Sequence, residues 1–452
     1  MTPMETPVDR HPRWAVPAIA AALFVALCGL HAIGQETLYR AVLEAWGIGP
    51  YDFPFLDIHG ELSAIQCWRM GVDVYATNPC DALGRLFDYS PLLLWGAAFG
   101  LSTSDTGAAG LIIDGLFLLS LAALPVPRGR PGMALTLLGA LSTMVVFALE
   151  RANIDPLIFA LAALTGVLLT RSSSARFLAY PLIVAAALIK FYPAVLLTLG
   201  LRERPRVFAF IATISIAVLA LFTAAYHTEL RAALANVPVG KNFTDLFGAP
   251  NLPQGLATLF PALPLRPGVL RVVLYLAAAS GAAVIAALPG TRASCRRLPP
   301  DEAVFLAIGA SLVAGCFLAG QNIGYRGIFL LFVLPGLWGL AQAAKDSFGR
   351  ALFHSAIGFT LFLMWGEFFR HLVDNLAPAP GPFLFWLGRE LAWWAVVSLL
   401  GGLLACFALE SETVRNLAAA LIQRKRPQAK AGRGVLRPPK PKTQPGSREA
   451  LP

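Results

Sequence analysis

The feature that most constrains this chain is a series of continuous apolar runs, each about 20 residues long, recurring from residue 14 to residue 407. The run 207–226 (VFAFIATISIAVLALFTAAY) carries no charged side chain. A segment of that length and polarity is suited to cross the hydrocarbon of a bilayer. There every backbone N–H and C=O must be satisfied internally, which leaves helices or a closed barrel. Barrel strands would alternate apolar and polar side chains over about ten residues, and these runs do not alternate. Composition agrees: 57% of residues are apolar and 14% charged, against roughly 25% charged in a water-soluble chain. Length alone would suggest about three soluble domains, but the apolar runs exclude them. The fold class implied is an all-α polytopic integral membrane protein.

The apolar segments are 14–33, 90–101, 107–125, 133–149, 153–170, 177–200, 207–226, 269–288, 303–320, 325–341, 351–369 and 383–407. They predict a bundle of about 10–12 transmembrane helices. The segment 90–101 is short for a span, and 177–200 carries Pro181, Lys190 and Pro193 in its interior. The first segment follows Arg10 and Arg13 and lacks an A-x-A-like cleavage site, so it reads as a retained span with its basic flank in the cytoplasm. Three regions follow: a cytoplasmic N-terminus 1–13, a membrane domain 14–408 and a basic, Pro-rich cytoplasmic tail 409–452. From residue 424 the tail holds nine Lys/Arg, one acid and six prolines. It cannot bury enough apolar surface to fold. Attraction to anionic membrane lipids, at about 1 kcal/mol per basic residue, suits it better than nucleic acid, for which no fold or aromatic platform accompanies it.

Short loops rich in Arg and Lys stay cytoplasmic. Here they are Arg128/Arg130, Arg171/Arg176, Arg202/Arg204/Arg206, Arg292/Arg296/Arg297 and Lys345/Arg350. If all twelve segments crossed, the first two loops would fall outside. If 90–101 only dips into the bilayer and 177–200 is a broken hairpin, every basic loop and both termini lie inside, at the plasma membrane of the cell. The segments 35–89, Glu150–Asp155, 227–267, Gln321–Arg326 and 371–382 then share the outer face.

The loop 35–89 is the longest polar stretch between spans. Ile58, Leu62 and Ile65 recur at helical spacing, predicting an amphipathic helix over 58–70 at the membrane surface. Asp57 precedes it, either as an N-cap or as a functional acid at a cavity mouth. Cys67 and Cys80 are two of six scattered cysteines. They form a disulfide if the loop faces an oxidising compartment, or else remain unrelated thiols. No cysteine–histidine pattern suggests zinc, and no metal ligand set or cofactor motif is readable; a divalent cation is left open.

Asp57, Gly71-x-Asp73-x-Tyr75, Tyr89-Ser90-Pro91-Leu92, Glu150-Arg151-Ala152-Asn153 and Ala187-Leu188-Ile189-Lys190-Phe191-Tyr192-Pro193 occur in that order. This string resembles glycosyltransferase family 87, membrane enzymes of the GT-C fold that are similar to polyprenyl-phosphate-mannose-dependent α-mannosyltransferases. The likeness covers roughly residues 14–340. Family members often carry an aromatic residue after the catalytic Asp, where this chain has Ile58 and His59. Many have Gly-Gln where this chain has Glu150-Arg151. The resemblance implies a GT-C-like bundle whose large first outer loop is catalytic. It also implies transfer of a hexose, as mannose, from a polyprenyl-phosphate donor to a lipid or glycan acceptor on the outer face.

Such a transfer needs a base for the acceptor hydroxyl and cationic groups for the departing phosphate. The resemblance assigns the base to Asp57. For the phosphate the candidates are Lys190, Arg326 and Arg151. A midspan lysine costs about 2.5–3.5 kcal/mol on insertion scales, so Lys190 needs a function or a structural partner, for which Asp114 is available. Arg326 suits phosphate through its planar fork, or it snorkels to the interface. Glu150 and Arg151, adjacent in sequence, are expected to have separate partners. Glu150, Asn153, Tyr89, Tyr75, Asn322 and Asn251 are candidate substrate contacts, with Gln254 and Lys241 as weaker ones. His59 and His227 read as interfacial. Trp393, Trp394 and the Phe-rich stretch 359–369 read as lipid-facing aromatics. Two other classes compete: a transporter or lipid flippase, for which broken helices with midspan charges are a signature, and a non-catalytic membrane scaffold.

Overall fold

The structure, a computed structural model, describes residues 13–416 apart from 127, 241, 242 and 265. The expectations for residues 1–12, for Lys241 and for the tail from 417 onward lie outside the described residues. The chain is helical almost throughout. It runs α1 Ala15–Ala32, α2 Glu36–Ala45, α3 Leu56–Arg69, α4 Thr106–Ser120, α5 Gly129–Ala140 and α6 Thr143–Arg151. Then follow α7 Ile154–Leu169, α8 Ser173–Ile189, α9 Pro205–Ala225, α10 His227–Asn236, α11 Asn251–Leu259 and α12 Pro267–Ala287. The last are α13 Pro289–Arg297, α14 Pro300–Ala319, α15 Leu330–Ala343, α16 Ser347–Met364, α17 Gly366–Leu376 and α18 Gly381–Glu410. Several begin on proline (Pro205, Pro267, Pro289, Pro300), whose missing N–H costs nothing in a first turn.

Among the described residues eight helices are long and apolar enough to cross a membrane, or nine if the bent pair α5–α6 counts as one span. This is a polytopic helical membrane protein. The segment 133–149 breaks after Ala140 and bends by 42°. The segment 90–101 is a 3-10 helix, Pro91–Phe99, about 18 Å long at 2.0 Å per residue and too short to cross. Helices α7 and α8 are shorter apolar helices.

The segment 177–200 divides at Lys190, where α8 gives way to the 3-10 helix Tyr192–Arg202. The two arms run back along each other, since the Tyr180 hydroxyl donates to Glu203 Oε1 at 3.0 Å. Lys190 is therefore the apex of a hairpin whose feet carry Arg176 and Arg202. Other bonds gather the remaining basic segments at that same end. Arg296 pairs with Glu410 at 2.7 Å, Thr413 Oγ1 donates to Glu203 O at 2.5 Å, Arg297 to Ala343 O at 3.0 Å and Trp338 Nε1 to Arg128 O at 3.2 Å. Arg13 likewise bonds Ala122 O.

Burial sorts the helices. Helices α14 and α15 form the centre, while α9 and α12 lie outermost and present Phe210, Leu221, Val272 and Leu276 outward. In water such a surface would drive association; in a bilayer it is the ordinary exterior. Trp393 and Trp394 do not face lipid as expected. They are 1% and 6% exposed, and Trp393 stacks on Phe247 with centroids 4.4 Å apart. Of the stretch 359–369, Phe359 and Phe369 do face outward.

The outer-loop helix also differs from expectation. Helix α3 starts at Leu56, so Asp57 lies in its first turn and Phe55 is the N-cap, with φ +64°. Asp57 is no cap, although a carboxylate remains favoured there by the helix dipole. Nor does α3 lie on a surface. Leu56, Ile58, Glu61, Leu62, Ala64, Ile65 and Cys67 are all buried, because α3 is covered by Pro91–Phe99, α4 and α6. The half-exposed amphipathic helix of this loop is α2, which buries only Tyr39 and Leu43. A disulfide joins Cys67 to Cys80, tying the end of α3 to the loop that carries Asp81 and Arg85. It closes a loop of 13 residues, so a Cys67→Ser/Cys80→Ser variant should lose about 3 kcal/mol of stability. Thermal unfolding in detergent reads this; identical curves for the parent with and without reductant would show that the bond clamps nothing.

Candidate functional site

The site is organised by one amide. Helix α6 ends at Arg151, and Ala152, at φ +46°, turns the chain sharply. The next residue, Asn153, caps α7 by accepting from Asp155 N at 3.0 Å. Asn153 Oδ1 also accepts from Lys190 Nζ at 2.8 Å. A lysine ammonium can only donate, so the amide nitrogen must face the other way. There Nδ2 meets Asp57 Oδ2 at 2.8 Å, Tyr89 Oη at 2.9 Å and Tyr325 Oη at 2.8 Å. An amide has two protons for those three oxygens.

Behind Asn153 lies a buried charge cluster. Asp155 is fully buried and pairs with Lys190 Nζ at 2.9 Å and Arg326 Nε at 3.1 Å. It also accepts from the Tyr192 hydroxyl at 2.6 Å. Arg326 donates further to Asn322 Oδ1 at 2.5 Å. Two cations against one carboxylate leave a net positive charge behind the amide. The partner of Lys190 is thus Asp155 and not Asp114, whose two carboxylate oxygens are buried without a hydrogen bond.

In front of Asn153 opens a cavity of about 430 Å³, walled by Asp57, Glu61, Arg85, Asp88, Tyr89 and Arg151, with Tyr51, Phe87, Phe147, Asn236 and Tyr325 completing it. Arg85 Nη1 stands 3.5 Å from Asp57 Oδ1. It is held by Asp81 (Nη2–Oδ1 2.9 Å, Nε–Oδ2 3.1 Å) and by Leu56 O at 2.9 Å. Burial opposes ionisation of Asp81, yet the bonds from Arg85 keep its carboxyl below the ordinary value. Burial lifts Asp88 to about 6 despite the pull of Lys190, and holds Glu61 well above the ordinary carboxylate range.

Arg151 and Glu150 correct a second expectation. They pair with each other, Nε to Oε2 at 3.0 Å, their long side chains bending together at the buried last turn of α6. The Arg151 guanidinium lies 4.1 Å from the Tyr51 ring centroid, and its buried Nη1 has no hydrogen-bond partner.

A second cavity, about 460 Å³, adjoins the first and is almost wholly apolar, lined by Phe24, Leu27, Phe55, Leu111, Leu149 and Glu150 among others. The two share no lining residue, but consecutive residues serve them: Arg151 lines the polar cavity and Glu150 the apolar one.

Of the sequence-predicted site residues, Asp57, Arg151 and Tyr89 line the polar cavity; Asn153 bonds Asp57 and Tyr89, and Glu150 lines the apolar cavity. Lys190 and Arg326 are one layer deeper and are not among the lining residues. Tyr75 lines a different groove. Asn322 donates to Cys316 O at 2.7 Å and Gly320 O at 2.9 Å, fixing the turn that presents Arg326. Asn251 is fully buried and accepts from Gln321 Nε2 at 3.0 Å, so it contacts no cavity content. Sequence reasoning passed over Glu61, Arg85 and Asp88; only Glu61, one helical turn after Asp57, carried a local signal. Among the described residues no group of three His, Cys, Asp or Glu could hold a metal ion. No family model, curated protein or solved structure matches the chain.

Two outcomes are expected. Replacing Asp155 by Asn strands two buried cations and should cost about 3–5 kcal/mol, read as a large fall in melting temperature. An unchanged melting temperature would mean that Lys190 and Arg326 do not depend on Asp155. Asp88 keeps its proton up to about pH 6 when folded, whereas an unfolded Asp releases it near pH 4. Folding is therefore progressively penalised as pH rises through that window. Asp88→Asn should be neutral near pH 4 and stabilising near pH 7; a melting-temperature difference independent of pH would refute this.

Proposed function

We propose that this chain is a GT-C-type membrane glycosyltransferase, of the kind glycosyltransferase family 87 comprises, moving a hexose from a polyprenyl-phosphate donor to an acceptor hydroxyl. The observation that carries the reading is a polar and an apolar cavity lined by neighbouring residues, Arg151 in the first and Glu150 in the second. A lipid-phosphate sugar has the same sequence of polarities. Its isoprenoid chain suits the apolar cavity, its phosphate suits Arg151, and its sugar suits the chamber of Asp57.

The chemistry divides among named atoms. The acceptor oxygen attacks the anomeric carbon, its proton passes to Asp57, and the bond from that carbon to the phosphate oxygen breaks. The electron pair leaves with polyprenyl phosphate. Asn153 holds Asp57 Oδ2, while Oδ1 stands 3.5 Å from the Arg85 guanidinium at the cavity wall. The unpartnered Arg151 Nη1 is a buried donor without an acceptor, which a phosphate oxygen would satisfy through a charge-assisted bond. In this reading Lys190 and Arg326 do not touch the donor. They fix Asn153 and supply positive potential behind it.

Sidedness follows from charge. With the basic end in the cytoplasm, the chamber opens to the outer face of the plasma membrane, where the Cys67–Cys80 disulfide also belongs. The first outer loop, 35–89, then supplies Asp57, Glu61, Arg85, Asp88 and Tyr89, as a GT-C-like architecture requires.

The test is transfer of labelled mannose from polyprenyl-phosphate mannose to membrane lipid and glycan extracts by the protein in lipid nanodiscs. Asp57→Asn should lose about 10²–10⁴-fold in turnover while donor binding persists. Arg151→Ala should weaken donor binding itself. Equal turnover in parent and Asp57→Asn would remove Asp57 as the base, and a parent inactive with every polyprenyl-phosphate sugar would overturn the proposal.

A further inference from the structure

A groove of about 380 Å³ lies beside the polar cavity, lined by Trp68, Gly71, Val72, Asp73, Tyr75, Thr228, Glu229 and Ala232. It holds two carboxylates and no cation, which disfavours phosphates and anionic headgroups. Trp68 is 40% exposed, a flat ring beside hydrogen-bonding acids. Tyr75 is 7% exposed, and its buried hydroxyl has no hydrogen-bond partner. A flat aromatic face with acceptors and a spare hydroxyl is chemistry that suits a neutral polyol.

The groove is in register with the Asp57 cavity along two helices. On α3, Trp68 follows Asp57 by eleven residues, three turns to within about 20°, so both lie on one face about 16 Å apart. Glu61, one turn after Asp57, shares that face and lines the cavity. On α10, Glu229 borders the groove and Asn236 the cavity, two turns or about 10 Å away. Tyr75, in the groove, packs against Phe87, in the cavity, with ring centroids 5.5 Å apart. Asn236 Nδ2 pins the pair by donating to Tyr75 O at 2.9 Å and Phe87 O at 3.1 Å.

We propose that this groove binds the distal units of an oligosaccharide acceptor whose reacting hydroxyl lies at Asp57. The inference rests on the transferase reading and narrows it: the acceptor is a glycan chain longer than one sugar, because a single pyranose cannot bridge the two sites. Trp68 supplies the stacking face, and Glu229 and Asp73 accept hydroxyl protons. Aromatic pairs set the scale at 0.5–1.5 kcal/mol, so losing the Trp68 ring should weaken binding by about tenfold.

The experiment uses the full-length protein in phosphatidylcholine nanodiscs and a graded series of α-mannosyl oligosaccharides, from the monosaccharide upward. Binding without donor is read by calorimetry or saturation-transfer NMR, and transfer is read separately. The parent should bind longer chains more tightly. Trp68→Ala should lose that gain about tenfold in affinity and in KM with kcat unchanged, and leave the monosaccharide unaffected. Trp68→Phe should restore part of the loss, Glu229→Gln should show a smaller one, and Asp57→Asn should bind as the parent does. Binding independent of chain length, or an equal effect of Trp68→Ala on short and long sugars, overturns the proposal. So does a loss of lipid-quenchable tryptophan fluorescence in Trp68→Ala without change in sugar binding, which would make Trp68 an interfacial anchor. Length-dependent binding in a parent that transfers nothing would keep the groove as a glycan site and sink only the transferase reading.

Discussion

The side-chain amide of Asn153 joins groups that would otherwise be incompatible. On one side is Asp57, facing an open cavity; on the other is Lys190, at the apex of a hairpin between apolar helices. Asn153 also caps α7, so the backbone that starts that helix fixes the amide's position. Its two faces are not interchangeable, because a lysine and a carboxylate demand opposite ends of it. Rotating the amide by half a turn would oppose like groups on both sides. The arrangement is consequently directional, and Ala152, in a backbone conformation that few residues other than glycine accept, is where the chain is bent to achieve it.

Charges buried this deeply are expensive to desolvate, and a pair seldom recovers the full cost. Asp155 therefore takes several partners at once: Lys190, Arg326 and the Tyr192 hydroxyl. The Arg326 guanidinium also lies 5.2 Å from the Tyr192 ring centroid and the Lys190 ammonium 4.9 Å from that of Tyr89, so aromatic faces supply attraction on sides where no anion is present. The polar cavity inherits rigidity from this cluster, since Tyr89, Tyr325 and Asp57 all rest on Asn153.

The helices were legible in the sequence because length and polarity of a run are local properties that the bilayer turns directly into structure. That Asp57 and Arg151 share one cavity was legible for a related reason, since a polar residue among apolar spans must find another; that Lys190 and Arg326 stand behind it on Asp155, and do not line it, was not. The broken hairpin followed from the charges at its feet. What could not be read depended on long-range register. Asn322 and Asn251 look like free amides in a loop, yet the short pairing of Leu246–Phe247 with Asn322–Ile323 carries both into the interior. Arg85 and Asp88 reach the cavity because a disulfide folds their loop back over α3. Trp393 and Trp394 were misplaced because core-facing and lipid-facing side chains share one composition when the solvent is itself hydrocarbon.

The hairpin with Lys190 at its apex constrains the surrounding lipid. Helix α8 has 17 residues, about 25 Å at 1.5 Å each, and the returning 3-10 arm has 11, about 22 Å at 2.0 Å each. A typical hydrocarbon layer is about 30 Å thick. With its feet fixed among arginines, the hairpin cannot slide to centre itself, and the shortfall falls on the side of the ammonium group. The acyl chains around this part of the protein must shorten, or water must descend between the helices to meet the polar floor. Hydrocarbon thinner than average around the hairpin would leave less of its polar apex facing acyl chains.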